Sequence, residues 1–140
     1  MTLRSPITTA TINGVSVRFF RSPQQGYDFP WSCFTDLMEA AKLKEEHQLF
    51  FLRMVRNTHG NDTRVVPTSR GPVVLAPHFM AQGAIHAMEE LGFVSSKFED
   101  EYCHGLAEAV SAVVAHLPPV ARFDAAIAMA QRQVGAEAGG

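Results

Sequence analysis

Asn13-Gly14 stands between two runs that alternate β-branched or aromatic residues with polar ones, Thr8-Thr9-Ala10-Thr11-Ile12 and Val15-Ser16-Val17-Arg18-Phe19-Phe20. Both turn residues tolerate positive φ, so an Asn-Gly pair in this setting dictates a tight antiparallel hairpin. Strands are expected at about 7–12 and 15–20. Once that hairpin is fixed, the rest of the chain has to cover at least one of its faces. Alternation puts Phe19 and Phe20 on opposite faces, which makes one of them a candidate exposed contact.

Punctuation divides the remainder. Arg21 to Gly26 reads as a loop, and Tyr27-Asp28-Phe29-Pro30-Trp31 as a short strand whose proline places it at an edge or a strand end. Ser32 is the expected cap of a helix to about Lys42, with Phe34, Leu37, Met38 and Ala41 at helical spacing. A second helix, Glu45 to Asn57, opens with acids and closes on Arg53 and Arg56, in accord with the helix dipole. Its apolar residues spread around most of the circumference, so it is expected to be largely buried or to bury a second face in a partner. His59-Gly60-Asn61-Asp62 is a turn. A second hairpin is expected from Thr63-Arg64-Val65-Val66 and Val73-Val74-Leu75-Ala76, joined by the loop Pro67 to Pro72.

The second half reads as helical. Pro77 opens a helix to about Leu91, with Met80, Ala84, Ala87, Met88 and Leu91 as its stripe, and Gly92 ends it. Ser96-Lys97-Phe98-Glu99 is a capping box for the next helix, whose stripe is Tyr102, Leu106, Val110, Val113, Val114 and Leu117. Pro118-Pro119 breaks that helix. A last one, about 121–134, carries Phe123, Ile127, Ala130 and Val134, and 136–140 form a frayed tail. The fold class is therefore α+β, with small antiparallel hairpins packed against about five helices and a helical C-terminal half. Residues 1–117 make the domain. Residues 118–140 form an appended helix, a candidate dimerisation element in which Ala126 and Ala130 permit close approach.

Charge is distributed unevenly. Residues 1–70 hold nine bases against six acids, residues 71–140 three against eight, and the sum is the chain's net −2. Arg18, Arg21, Lys42, Lys44, Arg53, Arg56, Arg64 and Arg70 are the candidate phosphate contacts. Arg70 lies in a hairpin loop, and β-ribbons enter nucleic-acid grooves. Against this stands an acidic series, Glu89, Glu90, Glu99, Asp100, Glu101 and Glu108, a candidate protein-binding surface.

Catalytic and cofactor signatures are not found. The chain has no HExxH, CxxC, GxGxxG or GxxxxGK[ST] motif. His78 and His86, eight apart, sit about 80° from each other on a helix, a poor arrangement for one metal. Cys33 and Cys103 make no disulfide framework and read as free thiols in a reducing compartment. No cofactor, metal or catalytic residue is expected. No apolar run reaches the roughly 18 residues a bilayer span needs, and the first residues lack a signal-peptide apolar stretch, so a cytoplasmic location is expected.

Several stretches resemble the BRO-N family, the N-terminal domain of phage and baculovirus antirepressor-like proteins. They are Ile12 to Phe19 as opening hairpin, Phe29-Pro30-Trp31, the helix Thr35-Asp36-Leu37-Met38-Glu39-Ala40-Ala41, the hairpin Arg64 to Ala76, and the helices from Ala81 onward. The resemblance covers roughly residues 10–115. It implies a small α+β domain of a phage or mobile element, associated with DNA binding and antirepression. Two functions are thus expected: a non-enzymatic regulator binding DNA through a local basic face, or a small inhibitor, of anti-CRISPR or antiactivator type, binding a host or phage protein complex through its acidic surface. Either chain is a candidate homodimer.

Overall fold

The computed structural model describes residues 2–58 and 62–139, with the backbone alone for Thr58 and 136–139. β1 (Thr8–Ile12) and β2 (Val15–Phe20) pair antiparallel, with Ile12 opposite Val15. Asn13 (φ 52°) and Gly14 (φ 80°) take the two left-handed turn positions, as the dipeptide requires. β3 is Trp31–Cys33, so it starts after Pro30 instead of at Tyr27. The sheet order is β1-β2-β3-β5-β4, and every neighbouring pair is antiparallel. β3 is thus central, and of the two places expected for Pro30, an edge strand or a strand end, the proline takes the second. All three residues of β3 pair with a neighbour and Ser32 pairs on both sides, so a proline, which lacks the N–H, is left outside it, whereas Pro72 lies beyond the part of β5 that pairs with β3.

β4 (Arg64–Thr68) and β5 (Gly71–Ala76) form the second hairpin around a two-residue turn, Ser69-Arg70, not a six-residue loop. Pro67 and Pro72 lie opposite each other inside the strands. Pro67 is tolerated because β4 is an edge strand, and its carbonyl accepts from the Arg4 N–H at 2.8 Å. Thr68 closes the turn by donating its hydroxyl to the Gly71 carbonyl (2.6 Å) and accepting from the Arg70 N–H (3.2 Å). Gly71, at φ 101°, supplies the left-handed residue.

Helix α1 (Phe34–Ala40) continues the line of β3 into the sheet. Its cap is Cys33, whose Sγ accepts from the Asp36 N–H at 3.4 Å; Ser32, the expected cap, is in β3. β3 supplies only two rungs to each neighbour. Beyond them the side chains of α1 replace the missing strand: Asp36 Oδ2 accepts from the Arg18 N–H (3.0 Å) and Thr35 Oγ1 from the Val74 N–H (3.0 Å). The two hairpins are held apart by a helix that satisfies their inner edges.

The sheet is curled. Ile7 donates to the Phe19 carbonyl beside β1, while Arg4 donates to Pro67 on β4. Three residues reach about 10 Å, whereas four strand spacings in a flat sheet cover about 19 Å. Phe20, Trp31, Cys33, Val66, Val73 and Leu75 pack on the inner face. Ile12, Val17 and Phe19 pack on the outer face against the helices. Because both faces carry a core, Phe19 and Phe20 are both buried, and neither is the exposed contact expected from alternation.

α2 (Glu45–Thr58) buries Phe51 and Val55 but leaves Leu49, Phe50 and Met54 exposed, so of the two expected alternatives it is not largely buried within this chain. The expected turn after it falls, apart from Asp62, outside the described residues. α3 (His78–Glu90) follows Pro77 and ends before Gly92, whose φ is 79°. Leu91, expected in its buried stripe, is exposed. α4 (Ser96–Val114) is capped by Ser95, without a side-chain bond; the expected box fails because Ser96 is already helical, which places Phe98 and not Glu99 three residues after the cap, and Glu99 meets His86 instead. α5 (Pro119–Gly139) is longer than expected, and 136–139 continue the helix instead of fraying. It seats Ala125 and Met129 on Val113 and Val114, so its expected stripe of Phe123, Ile127, Ala130 and Val134 faces outward. No helix among the described residues is long and apolar enough to cross a membrane.

Candidate functional site

The eight basic candidates separate into distinct groups. Arg18 is not a surface residue at all. It is buried inside the curl, with Nε and Nη2 on the two carboxylate oxygens of Asp36 (2.8 and 2.9 Å), Nη1 on Thr68 Oγ1 (3.3 Å) and a long contact from Nη2 to Cys33 Sγ (3.9 Å). Burial raises the Asp36 carboxyl, but the hydrogen bonds and charge of Arg18 outweigh that and hold it below the ordinary carboxylate value. The same pairing raises the already high Arg18 value. A neutralised pair of this kind shapes a site without lending it net charge.

Arg53 and Arg56 are exposed on α2. Arg56 Nη1 donates to Thr63 Oγ1 at 3.0 Å, which brings the end of α2 to the start of β4 and to exposed Arg64. Arg21 follows β2, at the end of the sheet away from the turns. β2 and β5 are both antiparallel to β3, so the Asn13-Gly14 and Ser69-Arg70 turns lie at one and the same end. α1 runs toward that end, where Asn13 Nδ2 donates to the Ala40 carbonyl at 2.8 Å. Lys42, at φ 56°, and Lys44 follow there, and Lys42 Nζ lies close to Gly14.

The interior of the curl opens beside the second turn. A cleft of about 260 Å³ lies there, between β1 and β4. Arg4, Arg18 and Arg70 line it with the hydroxyl residues Ser5, Thr9, Thr68 and Ser69; Leu3 and Pro6 complete the wall, and no carboxylate among the described residues lines it. Arg4 and Arg70 are exposed at its mouth. Donors of both kinds around an acid-free concavity suit an oxyanion such as a phosphate. Arg4 was missed as a site residue because nothing local marks it. Only the curl carries the N-terminal segment across to β4.

The acidic candidates are also redistributed. Glu89, Glu90 and Glu99 gather with His86 where α3 meets α4. His86 Nε2 lies 2.7 Å from Glu99 Oε1, and this hydrogen bond, against a smaller effect of burial, lowers the Glu99 carboxyl. Glu101 accepts from the Asn13 N–H (3.1 Å), and Glu108 pairs with His104 (2.9 Å) along α4. Asp100 is exposed. Among the described residues no group of three or more His, Cys, Asp or Glu side chains is arranged to hold a metal ion. No protein family, curated protein or solved structure matches this chain.

Proposed function

We propose that this chain is a non-enzymatic regulator of phage or mobile-element type that grips the nucleic-acid backbone at the second hairpin turn. The observation that carries this reading is the cleft in which Arg4 and Arg70 flank hydroxyl residues with no carboxylate among them. In this reading Arg4 and Arg70 neutralise phosphate charge, and Ser5, Thr9 and Ser69 offer neutral hydrogen bonds. Arg18, held by Asp36, fixes the floor. Lys42 and Lys44, at the same end of the sheet, extend the contact along a strand. The order of elements that resembles the BRO-N family favours the same assignment.

The test is fluorescence anisotropy with a labelled duplex at low and rising salt. Binding is expected to weaken as salt rises. Replacing Arg4 and Arg70 together by Ala removes two phosphate contacts and makes the log–log salt slope shallower by about 1–2. No binding to duplex or single-stranded DNA at low salt sinks the proposal.

The second reading, an inhibitor docking through its acidic surface, draws on the convergence of Glu89, Glu90 and Glu99. It is the weaker one, because Glu99, Glu101 and Glu108 already have partners within this chain. A stoichiometric host protein lost on Glu89→Lys with Glu90→Lys would favour it over DNA binding.

A further inference from the structure

α5 is apolar on two opposite sides. One side, Ala125 and Met129, is seated on the body of the protein. The other faces solvent: Val120 is 75% exposed, Phe123 66%, Ile127 41% and Val134 65%, with exposed Ala130 between the last two. These five positions advance by three, four, three and four residues. That is the spacing of a heptad seam, which keeps the same residues against a partner over its whole length only when the partner is another helix. The seam runs about 21 Å along the axis. Contiguous apolar surface of this kind on a helix marks an interaction site.

The body of the chain does not cover the seam, because α5 is pinned with the seam outward. Arg122 donates to the Leu117 and Ala115 carbonyls (2.6 and 3.3 Å) near one end of the helix. Arg132 Nη1 donates to the Gln25 and Tyr27 carbonyls (2.9 and 3.4 Å) near the other.

The residues flanking the seam select its occupant. Asp124, Ala126, Gln131 and Gln133 border it, with a single charge among them. A different helix is normally chosen by opposite charges at these flanks, and here there are almost none to read. A second copy meets no opposed like charges. In an antiparallel pair centred near Ile127, Val120 of one copy lies toward Val134 of the other. Phe123 then lies toward Ala130, a large side chain against a small one, and Asp124 toward Gln131. The helix dipoles cancel in that arrangement.

We propose that α5 is a self-association element, and that two copies of this chain pair through the seam from Val120 to Val134. This is independent of what the arginine cleft binds.

Sedimentation equilibrium on the full chain, from about 1 to about 200 μM, is the test. The expected mass rises with concentration to twice the 15.3 kDa of one chain. Phe123→Glu and Ile127→Glu are each expected to weaken the pair by at least about a hundredfold. Their far-UV circular dichroism should stay unchanged, because neither side chain is in the core. Ala130→Leu should tighten the pair by about tenfold if it fills the space opposite Phe123. A one-chain mass throughout the range overturns self-association. So does a dimer whose dissociation constant Ile127→Glu leaves within about twofold of the parent's.

Discussion

Arg18 lays its guanidinium along the carboxylate of Asp36, Nε to Oδ2 at 2.8 Å and Nη2 to Oδ1 at 2.9 Å, with both side chains buried. The same Oδ2 accepts the Arg18 backbone N–H at 3.0 Å. The pair sits where β3 ends and α1 takes over between the two hairpins, and its remaining nitrogen reaches Thr68 on β4. One arginine thus ties β2 to α1 and to the far edge of the curled sheet. A buried ion pair of this kind contributes little net stability against an apolar replacement, but it fixes one geometry.

Breaking the pair on one side is expected to be severe. Asp36→Ala leaves the Arg18 charge buried and the Arg18 N–H without its acceptor, a loss of about 3–5 kcal/mol. Arg18→Met combined with Asp36→Leu removes both charges and should cost less than Asp36→Ala alone. Urea unfolding of the three proteins measures this. An Asp36→Ala variant within about 1 kcal/mol of the parent would show that the pair does not hold the sheet together.

The same pair sets an acid limb. The Asp36 carboxyl titrates below its ordinary 3.8 in the folded chain. On acidification the unfolded chain therefore takes up this proton first. The contribution is complete above 3.8 and is lost as pH falls from there through the lower folded value. The slope from this one group is at most about 1.4 kcal/mol per pH unit. Urea midpoints followed from about pH 6 to about pH 2 should fall less steeply in Asp36→Asn than in the parent. Parallel curves would exclude Asp36 as the titrating group.

Local chemistry made both hairpins legible. Asn13-Gly14 has few alternatives to a tight turn, and the helix boundaries at Pro77, Gly92 and Pro118-Pro119 follow from what proline and glycine permit. The α+β class follows from these elements. Nonlocal facts were not legible. Nothing in Thr35-Asp36 announces that the two side chains stand in for a missing strand, and nothing in Arg18 distinguishes a buried arginine from a surface one. α5 misled for a physical reason: its most apolar stripe is the outward one, while alanine and methionine make the internal contact. The cleft depends on Arg4 crossing to Pro67, a contact between residues far apart in the chain.

The two thiols should differ in reactivity. Burial, with the nearby Asp36 charge, pushes Cys33 up to about 12, and the side chain is sealed in the inner core. Cys103 is exposed on α4, with a value raised by partial burial and by Glu99 and Asp100. Titration of the native protein with a disulfide reagent at neutral pH should therefore modify one thiol, slowly for an exposed cysteine. The second should react only on unfolding. Two equivalents consumed without unfolding would contradict the burial of Cys33.

Gly105 marks the closest approach of α4 to β1. A Cβ built there meets the Ala10 Cβ at 2.5 Å and Phe19 Cε2 at 3.2 Å. In an open helix, Gly→Ala gains about 1 kcal/mol. Here the forced shift of α4 against the sheet costs about 1–3 kcal/mol, and the contact with another Cβ leaves no flexible end to move aside. Gly105→Ala is expected to lower the denaturation midpoint. An Ala10→Gly background removes the 2.5 Å contact and leaves only the Phe19 ring edge at 3.2 Å, so the same substitution should cost less there than in the parent. A double-mutant cycle measured by urea unfolding reads this coupling directly. If Gly105→Ala stabilises the parent protein, α4 does not pack on β1 at this distance.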